Sequence, residues 1–154
     1  MRTRGFMLDT SAINRIHDWQ QCEWSLRGPL YVTEIQLQEL AQTRDPDRRA
    51  SLVGAFMSLR PTVLRPQGRV FMPEAFGFTD YFEGGFGMPD EDYGLSLGRV
   101  MPLIAASMGR RAEKHFSDAL IAEAALTSNL TLVTADRRLA RAAREFGAHV
   151  EQIP

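Results

Sequence analysis

One cysteine, Cys22, stands in a chain of 154 residues. A lone thiol can form neither an intrachain disulfide nor a cysteine-based zinc site, so a reducing compartment is the expected setting. No apolar run approaches the roughly 20 residues that cross a bilayer. Arg2 and Arg4 precede only the short apolar stretch Gly5-Phe6-Met7-Leu8, far short of a secretory core, and the expectation is a soluble cytoplasmic protein. The formal net charge of −1 argues against a general polyanion coat, because phosphate affinity comes from local neutralisation by Lys and Arg. Lysine is nearly missing: all 18 basic residues except Lys114 are arginine, which gene base composition explains as readily as phosphate recognition. Paired histidine motifs are absent too, His17, His115 and His149 standing alone, and Gly84-Gly85-Phe86-Gly87 is too weak to serve as a phosphate loop between a strand and a helix.

What the chain does have is an alternation of short apolar strands and helical patterns. Gly5 to Leu8 reads as a strand feeding a helix at Thr10-Ser11-Ala12-Ile13-Asn14, and helical spacing of Ile13, Ile16 and Trp19 extends that helix to about Trp24. Gly28-Pro29 breaks it. Leu30-Tyr31-Val32 forms a strand, and Thr33-Glu34-Ile35-Gln36 has the form of a capping box opening a helix to about Gln42. Asp45-Pro46 starts another, expected to turn Leu52, Val53, Phe56, Met57 and Leu59 toward the core, followed by a brief strand at Thr62-Val63-Leu64.

Between about 66 and 88 glycine and proline are too frequent for a long regular element, yet this stretch holds Phe71, Phe76, Phe78, Phe82 and Phe86, five of the nine phenylalanines, plus Tyr81. Rings of that area are expected to pack over the domain's own core, with base stacking or a partner helix as alternatives. Helical pattern returns from about Asp90 to Gly109, with Pro102 as an expected kink or break. A further helix spans about Ala112 to Thr127 with Asn129 capping its end. Leu130 to Thr134 reads as a β-branched strand, Arg137 to Ala143 as a helix, and Phe146 to Val150 as its close and the start of an edge strand. Such alternation favours a three-layer α/β/α sandwich with a short parallel sheet, and no linker or internal repeat divides the chain.

Four acids fall at revealing places in this pattern. Asp9 and Asp136 each end a strand and begin a helix, and the carboxyl ends of parallel strands are where ligands bind. Asp118 precedes Ile121, Ala122, Ala125 and Leu126 by helical steps and so starts their inward face. Glu39 lies beside Leu40 at the margin of a buried stripe. Each has a plainer reading: N-caps for Asp9 and Asp136, an N-cap at Ser117 or Asp118 if that helix starts later, and a solvated carboxylate for Glu39. Glu34 competes with Glu39 but sits in a first turn, where it complements the helix dipole. Gathered together, the four would repel one another unless a hard cation such as Mg²⁺ or Mn²⁺ neutralised them.

Phe6-Met7-Leu8-Asp9-Thr10-Ser11, Val32 to Leu40, Ser117-Asp118-Ala119-Leu120-Ile121-Ala122 and Leu132 to Ala140 together resemble the PIN-domain family of metal-dependent ribonucleases, in particular its small VapC-type toxins of toxin–antitoxin pairs. The resemblance implies an α/β/α sandwich, a homodimer, an antitoxin partner, and an acidic site at Asp9, Glu39, Asp118 and Asp136. Ser11 and Thr134 would be supporting hydroxyls. The aromatic stretch is longer than such toxins usually carry, which leaves subfamily and partner open.

The expected activity is endonucleolytic cleavage of RNA, with Asp9, Asp118 and Asp136 as ligands of one or two Mg²⁺ or Mn²⁺ ions and Glu39 orienting water or completing the shell. Arg137, Arg141 and Arg144 share one helix face and could touch RNA, although a solvated face opposite Leu139, Ala143 and Phe146 is the plainer account. Rival readings are a catalytically silent assembly module of the same fold and a housekeeping RNA-processing nuclease. An aspartyl-phosphate phosphatase is disfavoured, because it needs a second carboxylate at the position of Ser11.

Overall fold

Alternation along five short strands sorts the core into two layers. The computed structural model describes residues 3–64 and 100–154. The strands are β1 (Phe6–Leu8), β2 (Leu30–Thr33), β3 (Thr62–Leu64), β4 (Thr131–Thr134) and β5 (Val150–Gln152). All pair in parallel in the order β3-β2-β1-β4-β5, with Phe6 opposite Leu30 on one side and Thr131 on the other.

Met7, Tyr31, Leu64, Leu132 and Val150 face one layer, and their neighbours Leu8, Val32, Val63 and Val133 face the other. Over the first face pack α5 (Met101–Met108), α6 (Phe116–Thr127) and α7 (Arg137–Glu145). Over the second lie α1 (Thr10–Asn14), α2 (Ile16–Trp19) and α4 (Pro46–Ser58). The remaining helix, α3 (Glu34–Ala41), starts directly from the end of β2 and gives Ile35 to the first layer and Leu40 to the second. The expected three-layer sandwich is thus the observed one. Full burial of Leu8, Leu132 and Val133 contributes roughly 1.5–3 kcal/mol each to holding the two central strands.

β1 and β4 lie side by side although 21 residues of connection leave β1 for β2 on one flank and β4 leads to β5 on the other. Their carboxyl ends therefore flank the switch point of the sheet, the place where open parallel sheets bind ligands. Gly5 permits the approach of β1 to the chain entering β2: a Cβ there would stand 2.5 Å from the Pro29 carbonyl oxygen and 2.8 Å from the Tyr31 ring.

Several expectations require correction. The helix expected from Ser11 to Trp24 is three pieces, α1, α2 and a 3-10 turn at Glu23–Leu26. The Ala12 carbonyl accepts the Trp19 indole N–H at 2.6 Å and the Arg15 N–H at 3.1 Å, so it is withdrawn from the regular ladder where the helix breaks. Only Leu52 and Phe56 of α4 are deeply buried, whereas Val53 and Met57 are 38% and 65% exposed, because they lie on the side of α4 away from the sheet. Of the two expectations for Pro102, the kink is not seen and the break agrees with the described helix, since Pro102 occupies the first turn of α5, where its missing N–H is not needed. Residues 112–115 form a separate 3-10 turn ahead of α6. The aromatic stretch at 66–88 and the helical pattern from 90 to 99 lie outside the described residues.

Candidate functional site

Asp9 follows β1 immediately and is 1% exposed. Its backbone N–H donates to the Val133 carbonyl at 3.1 Å, continuing the β1–β4 pairing to the very end of the strand. Its carboxylate caps α1 by accepting from the Ala12 N–H at 2.7 Å. The Ser11 hydroxyl donates to the same group at 2.8 Å and 2.9 Å to its two oxygens, and the Thr134 hydroxyl donates to Oδ2 at 2.5 Å.

Those two hydroxyls also reach the next carboxylate's segment. The Ala135 N–H donates to Ser11 Oγ at 2.9 Å, and the Asp136 N–H to Thr134 Oγ1 at 3.0 Å. Ser11 and Thr134 are 3.2 Å apart, so a small hydroxyl network bolts the end of β4 to the start of α1. Asp136 caps α7, its Oδ1 accepting from the N–H groups of Arg138 and Leu139 at 2.8 Å and 3.2 Å. The capping reading of both aspartates is therefore correct; the cap uses Oδ1 of each, while Oδ2 of Asp9 is engaged by the Ser11 and Thr134 hydroxyls.

Glu39 comes from the middle of α3 and is partly buried, and its Oε2 accepts the Thr10 hydroxyl proton. It is not the solvated helix carboxylate of the plainer reading. Asp118 sits in the first turn of α6, whose Ile121, Ala122 and Ala125 are fully buried. The helix starts at Phe116, later than Ala112 but ahead of Ser117 and Asp118, so neither of these is its N-cap, which is His115.

The four acids act on one another. Burial, followed by the charges of Asp9, Glu39 and Asp136, raises the Asp118 carboxyl to about 7. Burial raises Asp9 to about 6, against the lowering effect of its hydrogen bonds from Thr134, Ala12 and Ser11, with the Asp136 charge adding to the rise. Glu39 is raised as well, by burial, with the Thr10 hydroxyl opposing. Four carboxylates from β1, α3, α6 and the β4–α7 junction thus share one electrostatic environment at the switch point.

The donor set suits a hard divalent cation in oxygen type and in charge. Among the described residues, no three His, Cys, Asp or Glu side chains converge closely enough to hold an ion as a finished cage. Both oxygens of Asp9 and one oxygen each of Asp136 and Glu39 accept from protein donors. Mg²⁺ does not demand such a cage, because it keeps several waters and binds through one or two carboxylates. The residues therefore fit such an ion held partly through water.

Two participants had little sequence signal. Thr10 merely adjoins Asp9, and only the fold brings it to Glu39. Gln36 was legible as the last member of a capping box but not as a tertiary link: it is fully buried, and its amide N–H donates to the Leu8 carbonyl at 2.8 Å. Arg137, Arg141 and Arg144 are exposed, Arg141 lying 4.0 Å from Glu145 and Arg144 donating to the Val150 carbonyl at 3.5 Å. That is the solvated face of the plainer account. His17 contacts Ser51 at 3.0 Å and Cys22 is exposed; neither joins the acids.

No protein-family model matches the chain, and no curated protein matches it. Solved structures do. A domain of a functionally unknown protein from Methanocaldococcus jannaschii DSM 2661 superposes with a TM-score of 0.53 over 98% of this chain and 91% of its own, at 14% identity. VapBC2 from Rickettsia felis, bound to a DNA fragment from its promoter, gives 0.48 over 96% of this chain and 98% of its own, at 18% identity. VapBC-5 from Mycobacterium tuberculosis, a member of the VapBC family of toxin–antitoxin systems, gives 0.43 over 97% and 98%, at 22% identity. The first likeness is one of fold, and the looser fit of the other two carries no functional weight. No helix among the described residues is long and apolar enough to cross a membrane.

Proposed function

We propose that the chain is a Mg²⁺- or Mn²⁺-dependent endoribonuclease of PIN-domain type. The observation that supports it is the gathering of four carboxylates from four segments at the sheet's switch point, with Asp118 raised to about 7 by burial and by the other three. When bound, the ion supplies Lewis-acid activation of water and charge stabilisation at the scissile phosphate. Asp9, Asp118 and Asp136 would hold it. The hydroxyls of Ser11 and Thr134 orient Asp9, and Glu39, which accepts from Thr10, would orient water or complete the shell. Arg137, Arg141 and Arg144 lie on the exposed side of the helix that Asp136 caps, a place from which they would meet RNA phosphates. In this reading the natural partner is an antitoxin protein, and the nuclease works as a homodimer in the cytoplasm.

The test is cleavage of single-stranded RNA with Mg²⁺ or Mn²⁺ by the wild type and by Asp9→Asn. Loss of at least ~100-fold in rate is expected for the variant, comparable to removal of one essential charged group. Undiminished cleavage would remove Asp9 from the reaction. An inactive wild type that also takes up no Mn²⁺ would favour the silent assembly module.

A further inference from the structure

Gln36 is the one uncharged polar side chain of the described residues that is completely buried and joins the strand bearing Asp9 to the helix bearing Glu39. Its two ends are differently employed. Oε1 accepts from the Thr33 N–H at 2.9 Å and from the Thr33 hydroxyl at 2.5 Å, which closes the capping box at the start of α3. Nε2 donates to the Leu8 carbonyl at 2.8 Å and touches Met7 Sδ at 3.5 Å. A capping box needs only the first end; hydrogen bonding within the box would be complete without the second.

Leu8 is the residue directly before Asp9, and Glu39 lies three residues beyond Gln36, hence nearly one turn along the same helix. The carbonyl that Gln36 engages belongs to the last residue of β1. With that bond in place, neither the strand end nor the first turn of α3 can slide without breaking a buried hydrogen bond, which leaves a desolvated acceptor behind. Thr10 stands on the other side of Asp9 and donates to Glu39. The strand end and the helix are therefore tied twice, once through Gln36 below the acids and once through Thr10 at them.

We propose that Gln36 is a positioning residue, a bracket that sets the separation of Asp9 and Glu39 by fixing the end of β1 to the first turn of α3. The proposal rests on the nuclease reading only for its functional consequence; the bracket itself is a matter of geometry. A glutamine is suited to it because one amide supplies an acceptor and a donor in opposite directions without a charge to bury, which an apolar residue cannot do.

Two variants and one control test it. Gln36→Leu and the longer, unbranched Gln36→Met, which keeps nearly the same volume, each remove the donor toward Leu8. Thr33→Val damages the same cap but leaves the bond from Gln36 to Leu8. Mn²⁺ affinity, read from the electron paramagnetic resonance of the free ion, is expected to fall about tenfold in both Gln36 variants, as for other residues that orient metal ligands, and to stay within about twofold in Thr33→Val. The amide and methyl resonances of Thr10, recorded without metal, are expected to shift in the Gln36 variants and not in the control. Wild-type affinity and unshifted Thr10 signals in Gln36→Met would overturn the bracket, as would an equal change in Thr33→Val, which would reduce Gln36 to a cap. If Gln36→Leu does not fold, Gln36→Met decides alone. A wild type that takes up no Mn²⁺ sinks the nuclease reading, and the Thr10 resonances then judge the bracket by themselves.

Discussion

Asp118 shows at the scale of one residue how a site opposes the fold that carries it. Its carboxyl, raised to about 7, keeps its proton in the folded chain at pH values where the unfolded chain, near 3.8, has lost it. Asp9 behaves in the same sense with a value of about 6. The folded state then binds more protons, so the stability these groups contribute is complete below about pH 4 and is lost as pH rises through about 7. Asp118→Asn, which cannot ionise, is accordingly expected to be more stable than the wild type without metal. The gain should be larger at pH 8 than at pH 5 and on the order of 1–3 kcal/mol at the upper value, allowing for partial solvent screening. Urea denaturation of both proteins at the two pH values measures it. A variant less stable than wild type at pH 8 would mean that Asp118 is not under charge strain.

At the scale of the element, Asp136 both ends a strand connection and caps α7, and its two duties can be separated. Asparagine caps a helix about as well as aspartate, whereas alanine costs roughly 1 kcal/mol. Asp136→Asn is therefore expected to melt near the wild type yet lose RNA cleavage, and Asp136→Ala to lose both stability and cleavage. Full cleavage by Asp136→Asn, assayed beside its melting curve, would confine Asp136 to capping. The same doubling of roles explains what could be read from the chain. Asp9, Asp136 and the Thr33-to-Gln36 box were legible because strand ends and caps leave local marks, an apolar run followed by a polar residue with a free oxygen. Glu39 and Thr10 were not legible as a pair, since nothing local joins residues 29 apart. The break between α1 and α2 was hidden for a similar reason: Ile13, Ile16 and Trp19 are all buried as helical spacing requires, and the interruption comes from the Trp19 side chain folding back onto the Ala12 carbonyl. Periodicity reports which side faces the core, not whether the ladder between those residues is whole.

At the scale of the molecule, the sheet order decides where the acids meet. Had β4 been inserted anywhere but beside β1, Thr134 could not have donated to Asp9, and the segments carrying Asp9 and Asp136 would end apart. The whole fold thus pays a charge penalty at one point, and a ligand that binds only the folded chain and cancels that charge should return it. At about 100 times its dissociation constant such an ion adds about 2.7 kcal/mol, which for a chain of this size corresponds to a rise in Tm of about 5–10 °C. The rise with Mn²⁺ is expected at pH 8, where Asp9 and Asp118 are ionised, and should shrink at pH 5, where both hold protons that an ion must displace. Addition of a chelator should abolish it. In Asp118→Asn the rise at pH 8 should fall, because the variant has lost the strain as well as a ligand. Thermal melts of both proteins with Mn²⁺ and with chelator decide the matter: an equal rise at both pH values, or an undiminished rise in Asp118→Asn, would place the stabilising ion away from the switch point and detach the acids from metal chemistry.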